Sequence, residues 1–396
     1  MRPSARAVAV AFVANGLGGP SFLPRLPERQ ADLGLSDAGL GLVLVGLAGG
    51  AMVASPVAGR LVGTVGSRPV VVAAATALGA SLWLAGAAPQ PAVLAAALAV
   101  IGAADAAMDI AMNANAGAYE ALSGRSVMHR LHGLWSLGAL AGAGAAALAA
   151  GAGVGLTGQL ALTGAVLAGA VLATRDGLVA GVHAVPGAAP AADPAAARAG
   201  RRWAGALGVL AAATVAGALL EGAPTDWSAL RLERLGTGPG VAALGVAAFM
   251  AGMIAGRATG DHLTERFGGR AVLRGGMGLV AIGLGLGVAI DHPVAFGAGL
   301  VAAGAGASGF FPLAFSAASR LPGVAPGAGA ATVSLAARLG FLAEPLAMGT
   351  LAEAAGLRWA FLAPTAVAVV LGLAASRIGP DAARPGAAPV ADVRSP

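Results

Sequence analysis

The sequence predicts an all-α membrane protein of twelve transmembrane helices, arranged as two parallel six-helix repeats. Three observations point there. Hydrophobic residues fill 57% of the 396 positions and charged residues only 11%, against about 25% charged in an ordinary soluble chain. The apolar residues fall in long runs with short polar breaks. The second half of the chain also echoes the first. So few charges cannot cover a water-facing surface of this size, which excludes a soluble enzyme, a disordered protein and a coiled coil.

A spanning helix needs about 20 mostly apolar residues. On that basis the spans fall near 6–24, 38–58, 69–88, 92–118, 131–151, 156–174, 203–222, 239–256, 271–290, 294–317, 327–352 and 357–375. The first follows Arg2 and Arg6, as a signal peptide would. However, no A-x-A-like cleavage site precedes Gly16–Pro20, and eleven more spans follow. The second ends at Ala58-Gly59-Arg60, the third carries no charge, and the fourth holds Asp105 and Asp109. The fifth and sixth come from one uncharged run, 133–174. As a single helix that run would be about 63 Å long, whereas a hydrocarbon core is about 30 Å thick. It therefore breaks at the Gly-rich stretch 151–155. The seventh span ends at Glu221, the eighth at Ala255-Gly256-Arg257, and the eleventh is interrupted by Arg338 and Glu344. The 64 glycines show no collagen period and sit within apolar runs, as in closely packed membrane helices.

The longest break, 175–202, contains VHAVPGAAPAADPAAARAGRR and reads as a flexible cytoplasmic linker. It divides the chain into an N-terminal bundle (1–174) and a C-terminal bundle (203–376), with a cytoplasmic tail at 377–396. Across it, Gly66, Arg68 and Val70 after the second span are matched by Gly268, Arg270 and Val272 after the eighth. With the N-terminus inside, 18 arginines fall on inner segments and 5 (Arg25, Arg29, Arg231, Arg234 and Arg358) on outer loops. The positive-inside rule then puts both termini in the cytoplasm, and the expected place is the inner membrane.

The same positive-inside distribution explains a pI of about 11.3 better than nucleic acid does, because the arginines are dispersed and Tyr occurs once. There is no Cys and no Lys, hence no disulfide, thiol nucleophile or phosphate-loop lysine. With no H-E-x-x-H pattern or G-x-S-x-G elbow either, neither a cofactor, a metal nor an enzymatic activity is expected.

Residues 59–68 (GRLVGTVGSR) resemble the loop signature G-x-x-x-D-R-x-G-R-[RK] of the major facilitator superfamily through Gly59, Gly66 and Arg68, with Gly63 in place of the acid. The second copy, GRATGDHLTERFGGR at 256–270, keeps Asp261, Arg266, Gly268 and Arg270. The resemblance covers nearly the whole chain. It implies the major facilitator fold, with Gly59, Arg60, Arg68, Gly256, Arg257, Asp261, Arg266 and Arg270 at the cytoplasmic gate.

Residues 108–138 (MDIAMNANAGAYEALSGRSVMHRLHGLWSLG) and 220–236 (LEGAPTDWSALRLERLG) further resemble the MosC-like branch, named for a protein associated with rhizopine transport. Arg338 and Glu344 depart from that branch's pattern. Gly138-x-x-x-Gly142 resembles the glycine part of an antiporter motif without its proline.

The candidate site residues are the polar groups inside spans. Asp105 and Asp109 are four apart, so they share a helical face, with Asn113 one turn on. An Asp at a span centre costs about 2.5–3.5 kcal/mol on insertion scales, so two need a partner or a task. Two close carboxylates resist joint ionisation, which suits proton binding and release. Asn15 either lines the cavity or bonds a neighbouring helix. Glu221 is either an outer gate or proton group, or an interfacial acid beside a belt tryptophan. Arg338 either holds an anionic substrate, balances Asp109, or snorkels to the interface. Glu344 is a substrate or proton-coupling candidate. Glu120, Arg125 and His132 form an inner-mouth cluster that opens with the gate or is simply solvated.

The expected function is a secondary transporter for a small polar organic solute, proton-coupled, monomeric, with export favoured over proton symport. A membrane sensor or scaffold that moves nothing is the alternative from another class.

Overall fold

The computed structural model describes residues 3–124, 127–181, 194–319, 321 and 326–375. Twelve helices are long and apolar enough to cross a membrane, and there is no strand among the described residues. We label these α1 (Ala5–Gly18), α2 (Asp37–Val65), α3 (Ser67–Ala87), α4 (Pro91–Ser123), α5 (Met128–Gly151) and α6 (Leu156–Thr174). The second set is α7 (Pro194–Arg234), α8 (Pro239–Phe267), α9 (Gly269–Ile290), α10 (Pro293–Ala307, continued as Phe310–Ser319), α11 (Pro326–Ala355) and α12 (Leu357–Ala360 with Leu362–Ala374). A cap segment follows α1 and ends in the short helix Leu26–Asp32. The linker enters at one end of the bundle, the linker end. The cap segment sits at the other, the far end.

Local chemistry sets the helix ends. Ser4 and Ser36 accept from the backbone N–H of Ala7 and Gly39 at 3.2 and 3.1 Å, which satisfies donors that a helix start leaves bare. Proline opens α4, α8 and α10, where its missing N–H costs nothing. The turns from α2 to α3 and from α8 to α9 both hinge on a glycine with positive φ, Gly66 at 90° and Gly268 at 81°, a region closed to most side chains.

The packing repeats with a period of six helices. In the first half α1 packs on α5, α2 on α4, α3 on α4 and α3 on α6. In the second α7 packs on α11, α8 on α10, α9 on α10 and α9 on α12. A Cβ on Gly102 of α4 would lie 1.8 Å from the Leu47 carbonyl oxygen of α2, and one on Gly304 of α10 would lie 2.1 Å from the Phe249 carbonyl oxygen of α8. Both halves thus press the same two helices together backbone to backbone, as small residues allow. Contact between the halves runs through α2 with α11 and α5 with α8. Large apolar side chains such as Leu148, Leu373 and Val294 point outward and stay exposed, as a lipid-facing wall requires.

Several boundaries differ from expectation: α1 ends at Gly18, α2 runs on to Val65, and α7 begins at Pro194, so residues 194–202 of the expected linker are helical. Helix α7 does not end at Glu221. It runs on through Pro224 to Arg234, so Glu221, Asp226 and Trp227 lie within the helix, and Trp227 is fully buried instead of sitting in an interfacial belt. Helix α8 continues to Phe267, so most of the motif at 256–270 is helical. Residues 182–193 of the expected linker, Arg125 and the 377–396 tail lie outside the described residues.

Candidate functional site

A cavity of about 420 Å³ lies between the halves. Asp109, His132 and Trp135 line it from one side, and Arg257, Phe311, Pro312 and Phe315 from the other. Helix α4 supplies its acid, Asp109. Asn113 donates Nδ2 to Oδ1 of Asp109 at 3.0 Å, the one-turn pairing its spacing implies.

Asp105, a turn away, is held from α1. Asn15 donates Nδ2 to its Oδ1 at 3.0 Å, while Trp135 donates Nε1 to the Asn15 Oδ1 at 2.8 Å. The buried Asn15 reaches both because α1 and α5 touch at the backbone: a Cβ on Gly16 would lie 2.2 Å from the Trp135 carbonyl oxygen. Asn15 therefore bonds both neighbouring helices, and it is not among the residues that line the cavity.

Basic side chains lie near the acids. His132 and, from the opposite half, Arg338 are neighbours of Asp109, and Arg257 is a neighbour of Glu221. Arg338 is half-buried. The His132 ring meets Phe12 edge-on at 5.4 Å. Glu344 points elsewhere. It is 1% exposed and lies against Asp226 and Trp227 of α7, as its six-residue offset from Arg338 implies.

The aromatic wall is absent from the sequence candidates. Phe311 and Phe315 are four apart on α10, and Phe311 stacks on Phe341 of α11 at 5.7 Å. In a chain with 4% aromatics, a Phe-Phe-Pro followed by Phe one turn on is the available signal.

At the far end the halves are sealed. A Cβ on Gly41 of α2 would lie 2.3 Å from the Pro345 carbonyl oxygen of α11, and one on Gly240 of α8 would lie 2.7 Å from the Gly151 Cα of α5. Arg234 grips Asp37 across this seam, with Gln30 donating Nε2 to Asp37 at 2.8 Å. This pair, too, is missing from the sequence candidates. The other four far-end arginines are also tied down. Arg25 bonds Glu28 and the Val154 carbonyl, Arg29 the Gly86 and Ala88 carbonyls, and Arg231 and Arg358 both Asp291.

Among the described residues, the linker end lacks such contacts at the gate motif. Arg60, Asp261 and Arg266 are exposed, and a Cβ on Gly59 or Gly63 would meet nothing within 4 Å. The remaining gate candidates have local tasks here. Arg68 pairs with Asp176 of its own half, so an acid does face it although Gly63 lacks one. Glu120 Oε1 accepts from the N–H of Val127 and Met128 at 2.5 and 2.9 Å, capping α5. Its expected companion Arg125 is outside the described residues. A Cβ on Gly256 would lie 2.2 Å from Ser308 Oγ, a packing contact, while Arg257 belongs to the cavity wall. Arg270 is half-buried and engaged. No group of three or more metal-ligating side chains occurs among the described residues.

A family model described as Major Facilitator Superfamily matches residues 227–395. An uncharacterised MFS-type transporter of Yersinia pestis is 34% identical over 89% of this chain and 90% of its own length. The membrane protein MosC of Rhizobium meliloti is 30% identical over 93% of this chain and 88% of its own. Among solved structures, the nucleoside transporter NupG superposes with a TM-score of 0.76 at 14% identity, covering 94% of this chain and 98% of that one. These likenesses, with the repeated helix packing, make the chain a member of the major facilitator superfamily of membrane transporters.

Proposed function

We propose that the protein exports a small polar organic solute by alternating access, coupled to protons, from the inner membrane with both termini in the cytoplasm. The moving bodies are the two six-helix bundles, 1–174 and 203–376, with the last residues of the expected 175–202 linker forming the start of α7 at Pro194, and a monomer suffices. On this reading the sealed far end faces outward and the cavity opens to the cytoplasm.

The observation that carries the reading is the Asp105–Asp109 pair. Its two acids sit one turn apart, each held by an asparagine, and Asp109 opens into a cavity with Arg338 of the other half as its neighbour. Protonating Asp109 removes a charge that is costly in a closed, dry cavity. It also loosens its attraction to Arg338, so proton occupancy and closure are linked. A charge crossing 100 mV supplies about 2.3 kcal/mol. The acid–amide ends and the aromatic wall of Phe311 and Phe315 suit a solute with polar groups on a compact frame.

Direction is what experiment decides. The Gly138/Gly142 pattern that favours export also seats α5 on α1, since a Cβ on Gly138 would lie 2.4 Å from the Val13 carbonyl oxygen. Inverted vesicles containing the protein are energised, an acid-sensitive dye is followed, and a panel of polar metabolites and drugs is added. A compound that dissipates the gradient with wild-type protein but not with Asp109→Asn supports proton-coupled export. Proton movement together with the solute, in the opposite sense, replaces export by symport. Ligand binding without flux or counterflow replaces the transporter by a sensor.

A further inference from the structure

A second carboxyl pair lies away from the cavity. Glu344 of α11 and Asp226 of α7 face one another at 1% and 9% exposure. Gly222 makes the room: a Cβ there would lie 2.8 Å from the Glu344 carboxyl carbon. Two groups aimed into this spot have no hydrogen-bond partner among the described residues, Glu344 Oε1 and the Nε1–H of the fully buried Trp227.

Among the described residues no cation is left to neutralise the pair. On α7 and α12, Arg231 and Arg358 are taken by Asp291 at the end of α9. Arg234 is taken by Asp37 of α2, and Arg25 of the cap segment by Glu28. Arg338 of α11 lies near Asp109, and Arg257 of α8 near Glu221. Of the remaining titratable groups at this end, Glu353 and His292 meet the N–H of Ala38 and Val294, Asp32 pairs with Arg29, and Glu233 lies near Glu28 and Arg234. Two bare carboxylates in a dry helix interface would repel at short range without compensation. One proton between them leaves a single charge, which the indole N–H is placed to stabilise.

The pair also adjoins the moving seam. Glu344 precedes Pro345, whose carbonyl is where α2 of the other half presses in with Gly41. Separating α2 from α11 would bring far-side water to the pair.

We propose that Asp226 and Glu344 form a proton-binding site that shares one proton while the far end is sealed and exchanges it with far-side water when the seam opens. This rests on the alternating-access reading above and adds a station separate from Asp105 and Asp109. The proton is taken from water onto a carboxylate oxygen and returns to water. No other bond changes.

Infrared spectroscopy of the full chain in lipid vesicles at neutral pH tests it. The expected result is a deuterium-sensitive band of protonated carboxyl groups, weakened in the Asp226→Asn/Glu344→Gln double variant and still present in Asp105→Asn/Asp109→Asn. A band unchanged in the first double variant overturns the proposal. Because the readout is not flux, it survives failure of export through Asp109.

The coupling is read separately. The chain has no cysteine, so spin labels on Ala31→Cys and Ala355→Cys report the far end cleanly. Raising the pH should increase the open population by up to about tenfold per pH unit, the limit for one proton, and Glu344→Gln should abolish that dependence. Should Glu344→Gln fail to fold, Asp226→Asn serves in its place. The same pH response in a folded variant overturns the proposal.

Discussion

The Arg234 guanidinium forks onto both carboxylate oxygens of Asp37, tying the last turn of α7 to the first turn of α2 across the boundary between the halves. Asp37 is nearly buried and also sits at a helix N-terminus, where a negative charge is favoured. Since Arg234 is partly exposed, the pair is worth about 1 kcal/mol toward closure. Asp37→Asn should therefore raise the far-end-open population roughly fivefold. Labelling of an introduced far-end cysteine by an impermeant thiol reagent checks this, and an unchanged labelling rate would count against a latch.

Two glycine substitutions should fail differently. A Cβ at Gly41 meets the Pro345 carbonyl across the seam, whereas one at Gly102 meets the Leu47 carbonyl inside the first half. Gly41→Val should hold the far end open with little change in melting temperature. Gly102→Val should cost roughly 3 kcal/mol or more by overpacking a fixed interface. Thermal unfolding together with thiol accessibility separates the two cases. Equal melting losses would mean that the seam is as permanent as the core.

Asn15→Ala removes the donor to Asp105 and the acceptor for Trp135 at once. Leaving buried polar groups unpaired costs about 1–3 kcal/mol. The initial rate of solute flux should fall about tenfold, since Asp105 would lose its fixed orientation, while Asn15→Gln should restore part of the rate. A wild-type rate in the alanine variant would make the network purely structural.

Asn115 serves a different purpose. It donates to Ser67 Oγ and the Val179 carbonyl at 2.8 and 2.9 Å and accepts from the Val179 N–H at 3.2 Å, fully buried. It thereby fastens the chain after α6 to α4 and α3 within one half. Asn115→Ala should lower stability by about 1–3 kcal/mol without moving the labelled far-end distance. A shift in that distance would place Asn115 in the conformational cycle.

The helices are legible because apolar runs report what lipid demands, and Asp105, Asp109 and Asn113 stand out as polar interruptions of such a run. What the sequence hides lacks that contrast. The polar last turns of α8, up to Phe267, continue a helix beyond the apolar stretch, so hydropathy ends too soon. Trp227 reads as interfacial if α7 stops at Glu221, but Pro224 bends a helix without necessarily ending it. Arg234 and Asp37 are 197 residues apart, and no local pattern carries a pairing over that distance. Glu344 is visible as an odd charge in its span, but its companionship with Asp226 depends on helix rotation. A charge cluster in sequence does not reveal that the Glu120 carboxylate also accepts from two backbone amides.

Pro56, Pro224 and Pro345 each lie inside a long helix, in α2, α7 and α11. A proline there cannot supply the amide that would bond the carbonyl four residues earlier. Each of these helices therefore has a joint where flexing ruptures no backbone hydrogen bond. In α11 the joint falls between Phe341, which stacks on the cavity-lining Phe311, and the stretch that presses on Gly41. One arm of the helix is free to swing while the other stays seated, so a change at the cavity has a route to the far end through bending of a single rod.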